Sequence, residues 1–377
     1  MNPLLDKAYS DSLKRKQTSL FRQLPRENSS FELDLSSNSY LSLHRNQEVL
    51  KLSQTLLSDK LHGNLASRLV AQNSDLYTRL EDQIAQWKKC ESALIFNSGY
   101  AANVGIISSL CSRNTHIFSD KLNHASIIDG SILSGAKLHR YRHNDINDLR
   151  SRLEQCGEHK EKLIVTDTVF SMDGDRAPLE DICQLASEHN ATVMVDEAHA
   201  TGIFGKTASG LVEETGTADG IHIRMGTLSK AVAGLGGFFA GSSALKDFFI
   251  NNARSFIFST GLPHSVLACN LASVKHIRSH PEKGQTLLNR AQEFRCMLKS
   301  SGFNTMDSTT HIVPVLIGDP KKTVSLSSFL KSFGIEVPPI RKPTVPQNTE
   351  RLRFSLNLDV TTSDLLRITH LLRKWKK

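Results

Sequence analysis

The sequence predicts an α/β fold with a large, mostly parallel sheet domain, a smaller α+β C-terminal domain and a helical N-terminal arm. From about residue 76 onward, short apolar runs alternate with segments of helical spacing, as expected of strands covered on both faces by crossover helices. After about residue 268 the pattern changes to two long amphipathic stretches followed by short strands. The first 40 residues carry a basic, helix-patterned segment leading into the short strand "FELDLSS". The expected division is therefore an arm over 1–40, a large domain over 41–268 and a small domain over 269–377.

In chain order the buried strands are "ALIFNSG", "THIFSD", "KLIVTDTVF", "ATVMVDEA", "IHIRMGT" and "GFFAGS". Between them "LEDICQLASEHN" places Ile182, Leu185 and Ala186 on one helical face. Beyond residue 268 the strands "HIVPVLIG" and "RLRFSLN" flank the helical "TVSLSSFLKSFG", and a helix closes the chain.

Bulk properties narrow the function. A chain of 377 residues can bury a large core. The formal charge of +8 gathers mildly in "LKRKQTSLFRQLPR" and "LLRKWKK", which suits acidic small substrates or an acidic carrier and equally suits solvated helix faces. Cys90, Cys111, Cys156, Cys183, Cys269 and Cys296 never form C-x-x-C, so the sequence predicts no zinc site, no other metal and no disulfide framework. It predicts neither a membrane nor a nucleic-acid partner. With no apolar stretch near the N-terminus of the kind a secretory signal needs, it predicts a cytoplasmic protein.

One stretch, "VDEAHATGIFGKT" (195–207), raises an alternative. Asp196-Glu197-Ala198-His199 spells a helicase motif, and Gly205-Lys206-Thr207 resembles the end of a phosphate-binding loop. That loop needs G-x-x-x-x-G-K-[ST], and its first glycine would fall on Ala200. The motor reading fails on its most specific part.

Loops at the carboxyl ends of strands build the site in an open α/β sheet. Here those ends read "NSGYAAN", "DKLNHASIIDG", "DTVFSMDGD", "VDEAHATG" and "GTLSKA". Lys230 lies between a buried strand and a glycine-rich stretch, where an amine can become a nucleophile toward aldehydes; taken alone it also reads as a snorkelling lysine. Asp196 ends a buried strand, where a carboxylate needs a cation such as a protonated pyridine nitrogen or serves as a helix cap. His124 opens a helix and can stack on a planar ring or act as a structural cap. Ser98, Gly99 and Tyr100 begin a helix, a natural anion site, and Thr227 can add a hydroxyl.

Together these stretches, with "FIFSTGLP" and "PTVPQNTERLRFSLN", resemble the α-oxoamine synthases among the fold-type I pyridoxal phosphate-dependent transferases, over nearly the whole chain. The resemblance implies pyridoxal 5'-phosphate as cofactor, with Lys230 as the lysine that holds its aldehyde. It implies Asp196 on the pyridine nitrogen, His124 against the ring, and Ser171 and His199 near the phenolic oxygen. Ser98, Gly99, Tyr100 and Thr227 would hold the phosphate. Ser259 and Thr260 would reach it from the partner subunit of a homodimer with its active site at the subunit interface. Arg22, Asn38, Thr344 and Arg353 fall at substrate positions, Arg353 being the clamp for an amino-acid carboxylate. Lys230, His124, Asp196 and His199 are the implied catalytic set.

"SMDGDRAPL", "HND" (143–145) and "IRKPTVP" most resemble members that join L-alanine to a pimeloyl thioester, on coenzyme A or a carrier protein, on the way to biotin. Relatives that use glycine or a long acyl chain are the alternative. The chain departs from the family pattern at "GNLASR" (63–68), at "VAQNSDLY", at Lys342, in "LNLDVTTSD", and at Phe21, where an arginine is usual. If Arg22 does not supply the charge missing at position 21, a less polar acyl chain is favoured.

Overall fold

The computed structural model describes residues 2–18, 20–21, 31–58, 60, 63–70 and 73–376. Its twelve described strands are β1 (Leu33–Asp34), β2 (Ser92–Phe96), β3 (Thr115–Asp120), β4 (Lys137–Tyr141), β5 (Glu161–Asp167), β6 (Thr192–Asp196), β7 (Ile223–Thr227), β8 (Gly237–Gly241), β9 (Ile312–Leu316), β10 (Ile335–Glu336), β11 (Pro339–Ile340) and β12 (Arg351–Ser355).

The chain forms two units. The larger comprises residues 39–171 and 175–288 and is built on a seven-stranded sheet of order β2-β8-β7-β6-β5-β3-β4. All its neighbours run parallel except β8, which is antiparallel to both β2 and β7. The apolar runs are continuous because both faces are covered: every residue of β2, β3, β7 and β8 is buried. Leu94, Ile106, Ile117, Val165, Met194, Ile223 and Phe239 belong to one core beneath the helix Gly99–Leu110. The alternation therefore delivers the sheet the sequence predicts, apart from β4. That edge strand, "KLHRY", is polar and half exposed, with no apolar run to mark it.

The smaller unit comprises residues 1–38, 172–174 and 289–377. In it β11, β12 and β9 form an antiparallel sheet, and β1 pairs in parallel with β10. Two boundaries differ from expectation. The helix His264–Ser279 buries Leu267, Leu271 and Val274 and packs on the helices Gln47–Leu57 and Asp75–Lys88, so the C-terminal unit begins at Asn289 rather than at 269. Residues 1–38 group with the C-terminal segment through β1 rather than standing apart, although the helix Pro3–Gln17 buries none of its own residues. No helix among the described residues is long and apolar enough to cross a membrane.

Candidate active site

Four strands of the large sheet end on polar residues: β3 on Asp120, β5 on Asp167, β6 on Asp196 and β7 on Thr227. Parallel β5 and β6 set Asp167 directly beside Asp196. Asp196 is 3% exposed, and the donors that reach its carboxylate are the Asn103 amide and the Ala198 N–H, both at 2.8 Å and both neutral. Burial raises the pKa of Asp167 well above the usual carboxylate range, and the Asp196 charge adds to the shift. The Asp167 Oδ2 accepts the backbone N–H of His124 at 2.9 Å. A buried carboxylate with neutral donors suits a protonated pyridine nitrogen.

His124 caps the helix Ala125–Ser134, as its place before "ASIIDG" predicts. Its Nδ1 lies 2.7 Å from the Ser126 hydroxyl, whose oxygen accepts the same Asn103 amide that serves Asp196. Burial lowers the imidazole pKa, with Lys230 adding to the fall and Asp196 and Asp129 opposing it. A flat ring held toward its neutral form therefore shares the cavity with Asp196. Tyr100 meets it edge-on at 6.3 Å, and the Tyr100 hydroxyl is bonded to Asp129.

Lys230 follows β7 in a turn. Its Nζ is 2.8 Å from His199 Nε2, and His199 Nδ1 is 2.7 Å from the buried Tyr40 hydroxyl. Ser98 caps the helix Gly99–Leu110 by accepting the Ala101 N–H at 3.0 Å, so its hydroxyl is already engaged. The amides of Gly99 and Tyr100 belong to the first turn, whose N–H groups the helix ladder leaves unpaired. Beside them the Thr227 and Ser229 hydroxyls lie 2.8 Å apart. A Cβ on Gly237 would come within 2.5 Å of Ser98 O, so only glycine lets β8 lie this close to the helix start.

One cavity is lined by Ser98, Gly99, Tyr100, His124, Ser171, Asp196, His199, Thr227 and Lys230, nine of the residues that the sequence singles out. Asn103, Asp167 and Ser229 also line it and were missed. Asn103 sits inside the helix, and Asp167, the first residue of "DTVFSMDGD", is set beside Asp196 only by the register of β5 and β6. Tyr40, bonded to His199, carries no local signal either.

Glu197 turns away from this cavity. Its Oε2 is 2.7 Å from Lys88 Nζ and its Oε1 accepts the Val212 N–H at 3.1 Å, so the acidic pair of "DEAH" divides between two tasks. Thr207 is held by Glu213 through its N–H and its hydroxyl.

Ser259 and Thr260, in the same unit, are not among the residues that line this cavity. Ser259 and Thr260 follow the short helix Arg254–Ile257, with Thr260 O accepting the Asn97 amide. In the smaller unit, Asn38 Oδ1 accepts from both terminal nitrogens of Arg353 at 3.1 Å, and Arg353 also reaches Ser355. Arg351 shares that strand face and pairs with Asp173 at 2.7 Å. Both arginines are buried, against the usual solvation of such a pair on a strand face. Thr344 lines a separate cavity of that unit with Leu20, Phe21, Arg341 and Lys342. Arg22 lies outside the described residues.

Fold and cavity together define a pyridoxal phosphate-dependent transferase. The chain belongs to the class I and II aminotransferase family, whose model matches residues 32–369. Among its relatives is a Geobacillus kaustophilus protein named "Putative 8-amino-7-oxononanoate synthase", 45% identical over 88% of this chain and 86% of that one. Two solved structures are also similar. A serine palmitoyltransferase variant from S. paucimobilis with a bound PLP–myriocin aldimine superimposes with a TM-score of 0.92 at 27% identity, covering 100% of this chain and 98% of that chain. The 8-amino-7-oxononanoate synthase of Francisella tularensis does so with a TM-score of 0.78 at 26% identity, covering 92% and 98%.

Proposed function

We propose that this enzyme condenses L-alanine with a pimeloyl thioester to give 8-amino-7-oxononanoate, free thiol and CO₂. The observation that carries the reading is that His124, Asp196, His199 and Lys230, at the strand ends and in the loops beyond them, line one cavity, with Asp196 and His199 buried, in a chain 45% identical to a protein of that name.

When bound, pyridoxal phosphate supplies an electron sink for the pair left on the amino acid's α-carbon. Lys230 Nζ is the amine that would hold the cofactor's aldehyde and, once released, would take the α-proton. His199, held by Tyr40, fixes that amine and, with Ser171, would serve the phenolic oxygen. Asp196 would keep the pyridine nitrogen protonated, and the His124 ring would cover the cofactor's face. Gly99, Tyr100, Thr227 and Ser229 would hold the phosphate through the helix start and two hydroxyls, with the Ser98 cap fixing that helix start. Ser259 and Thr260 would reach the same phosphate from the partner of a homodimer. Arg353, oriented by Asn38, would clamp the alanine carboxylate, and Thr344 and Arg22 would lie along the acyl chain. The expected compartment is the cytoplasm.

A second reading keeps the same chemistry with another acyl donor or amino acid. Its support is the higher TM-score to the serine palmitoyltransferase, 0.92 against 0.78. Side chains that read a substrate follow sequence more closely than backbone shape, and 45% identity favours the first reading. Offering pimeloyl and longer acyl thioesters with alanine, glycine and serine, and weighing the aminoketone by mass spectrometry, decides between them. Alanine with pimeloyl should dominate; preference for serine with a long chain would overturn the proposal.

A further inference from the structure

The "HND" stretch finds no place in the chemistry above, yet its histidine occupies a singular position. His143 Nδ1 lies 3.0 Å from Asp120 Oδ1, and Nε2 lies 2.7 Å from Asp175 Oδ2. Two carboxylates on two ring nitrogens require both nitrogens to donate, which makes the ring an imidazolium. Asn144 completes the junction: its N–H reaches Asp120 Oδ2 at 2.8 Å, and its side-chain amide reaches Asp175 Oδ2 at 2.9 Å.

The two carboxylates belong to different cofactor loops. Asp120 closes β3, accepts the Leu122 N–H at 2.8 Å and so shapes the turn that delivers His124. Asp175 lies beyond Ser171 on the return arm of its loop, where Phe170 N–H reaches Asp175 O at 3.1 Å and Val169 bridges to Arg176. The Phe170 ring meets the imidazole edge-on at 4.4 Å.

We propose that His143 is a positioning residue, a two-headed clamp that fixes the His124 loop to the Ser171 loop by joining Asp120 to Asp175. It rests on the assignment of His124 and Ser171 to the cofactor's site. Burial opposes charge on this ring, but the two carboxylates prevail and raise its pKa to about 10. A glutamine carries both its donors on one nitrogen and cannot face the two carboxylates as the separated ring nitrogens do, so one loop is released. A displacement of about 1 Å near reacting atoms can cost a hundredfold.

The test uses the full-length enzyme and its His143→Gln variant. In the labelled-histidine NMR spectrum of the wild type at pH 8, one imidazole should have both ring nitrogens protonated, and the variant should lack that signal. The folded variant should bind pyridoxal phosphate about tenfold more weakly, turn over about ten- to a hundredfold more slowly, and show a displaced absorbance titration of the bound cofactor. A neutral His143 ring at pH 8 would overturn the clamp. So would a variant that merely melts earlier while keeping wild-type cofactor affinity and absorbance. The site assignment is read separately with His124→Ala: wild-type pyridoxal phosphate binding there would sink the assignment, while the NMR signal still reports the charged clamp.

Discussion

At the scale of single residues, Lys230 and Arg353 carry the most direct predictions. Lys230→Ala removes both the amine for the aldehyde and the base, and loss of a general base alone typically costs about 10²–10⁴ in rate. The variant should turn over at background and lose the yellow of the covalently held cofactor, while the phosphate contacts retain some of it. Substantial synthase activity in this variant would show the base to be another group. Arg353→Ala should weaken alanine binding about ten- to a hundredfold, the equivalent of about 1.5–3 kcal/mol for a hydrogen bond to a charged group, read by titrating cofactor absorbance with alanine. Because Arg353 also holds Asn38 and Ser355, some loss of stability should accompany it. Arg351→Ala should act differently: it strands the largely buried Asp173 partner, costing about 3–5 kcal/mol of folding stability with little change in the alanine affinity of the folded enzyme. From "RLRFSLN" alone the two arginines look equivalent; only their partners separate them.

At the scale of elements, two junctions outside the cavity hold its loops. Lys88, at the end of the helix Asp75–Lys88, is fully buried against Glu197, Thr201 and Ser209. Burial lowers its pKa while Glu197 opposes the shift. Lys88→Met removes the cationic partner of the buried Glu197 and should cost about 3–5 kcal/mol in chemical denaturation; adding Glu197→Leu should recover part of that loss. Equal stability of the single and double variants would mean that the pair is not coupled. The His143 junction gives a pH signature. Its folded pKa, about 10, lies above the usual 6.5, so its stabilisation is complete below 6.5 and is lost as pH rises through 10. The gap in denaturation midpoint between wild type and His143→Gln should therefore narrow steadily from pH 7 to pH 10. The apolar runs and strand-end polar residues were legible in the sequence because each is a local pattern. The partners Tyr40 and Asn103 were not, because they reach the site through long-range packing, and Asp167, though it opens the strand-end loop "DTVFSMDGD", stands out only through its register with Asp196.

At the scale of the whole molecule, the binding of pyridoxal phosphate should register as stability. A ligand that binds only the folded state adds RT ln(1 + [L]/Kd), about 2.7 kcal/mol at a hundredfold excess over Kd. The apoenzyme melting temperature should thus climb with added cofactor, less steeply for Lys230→Ala and His143→Gln than for wild type. The two-unit division was legible only in outline, because the helix His264–Ser279 has the same amphipathic spacing whichever unit it covers. The buried Lys88–Glu197 pair also bears on how such a chain can drift over generations. Gly210 has φ of +149°, and a Cβ there would fall 2.1 Å from Glu197 Oε1. Positions 88, 197 and 210 are therefore an inherited trio: a new side chain at 210 evicts the carboxylate, and a lost carboxylate strands the ammonium. A library mutated at random and selected for growth should keep all three unchanged or replace them together, although Lys88 and Gly210 line no part of the cofactor's cavity.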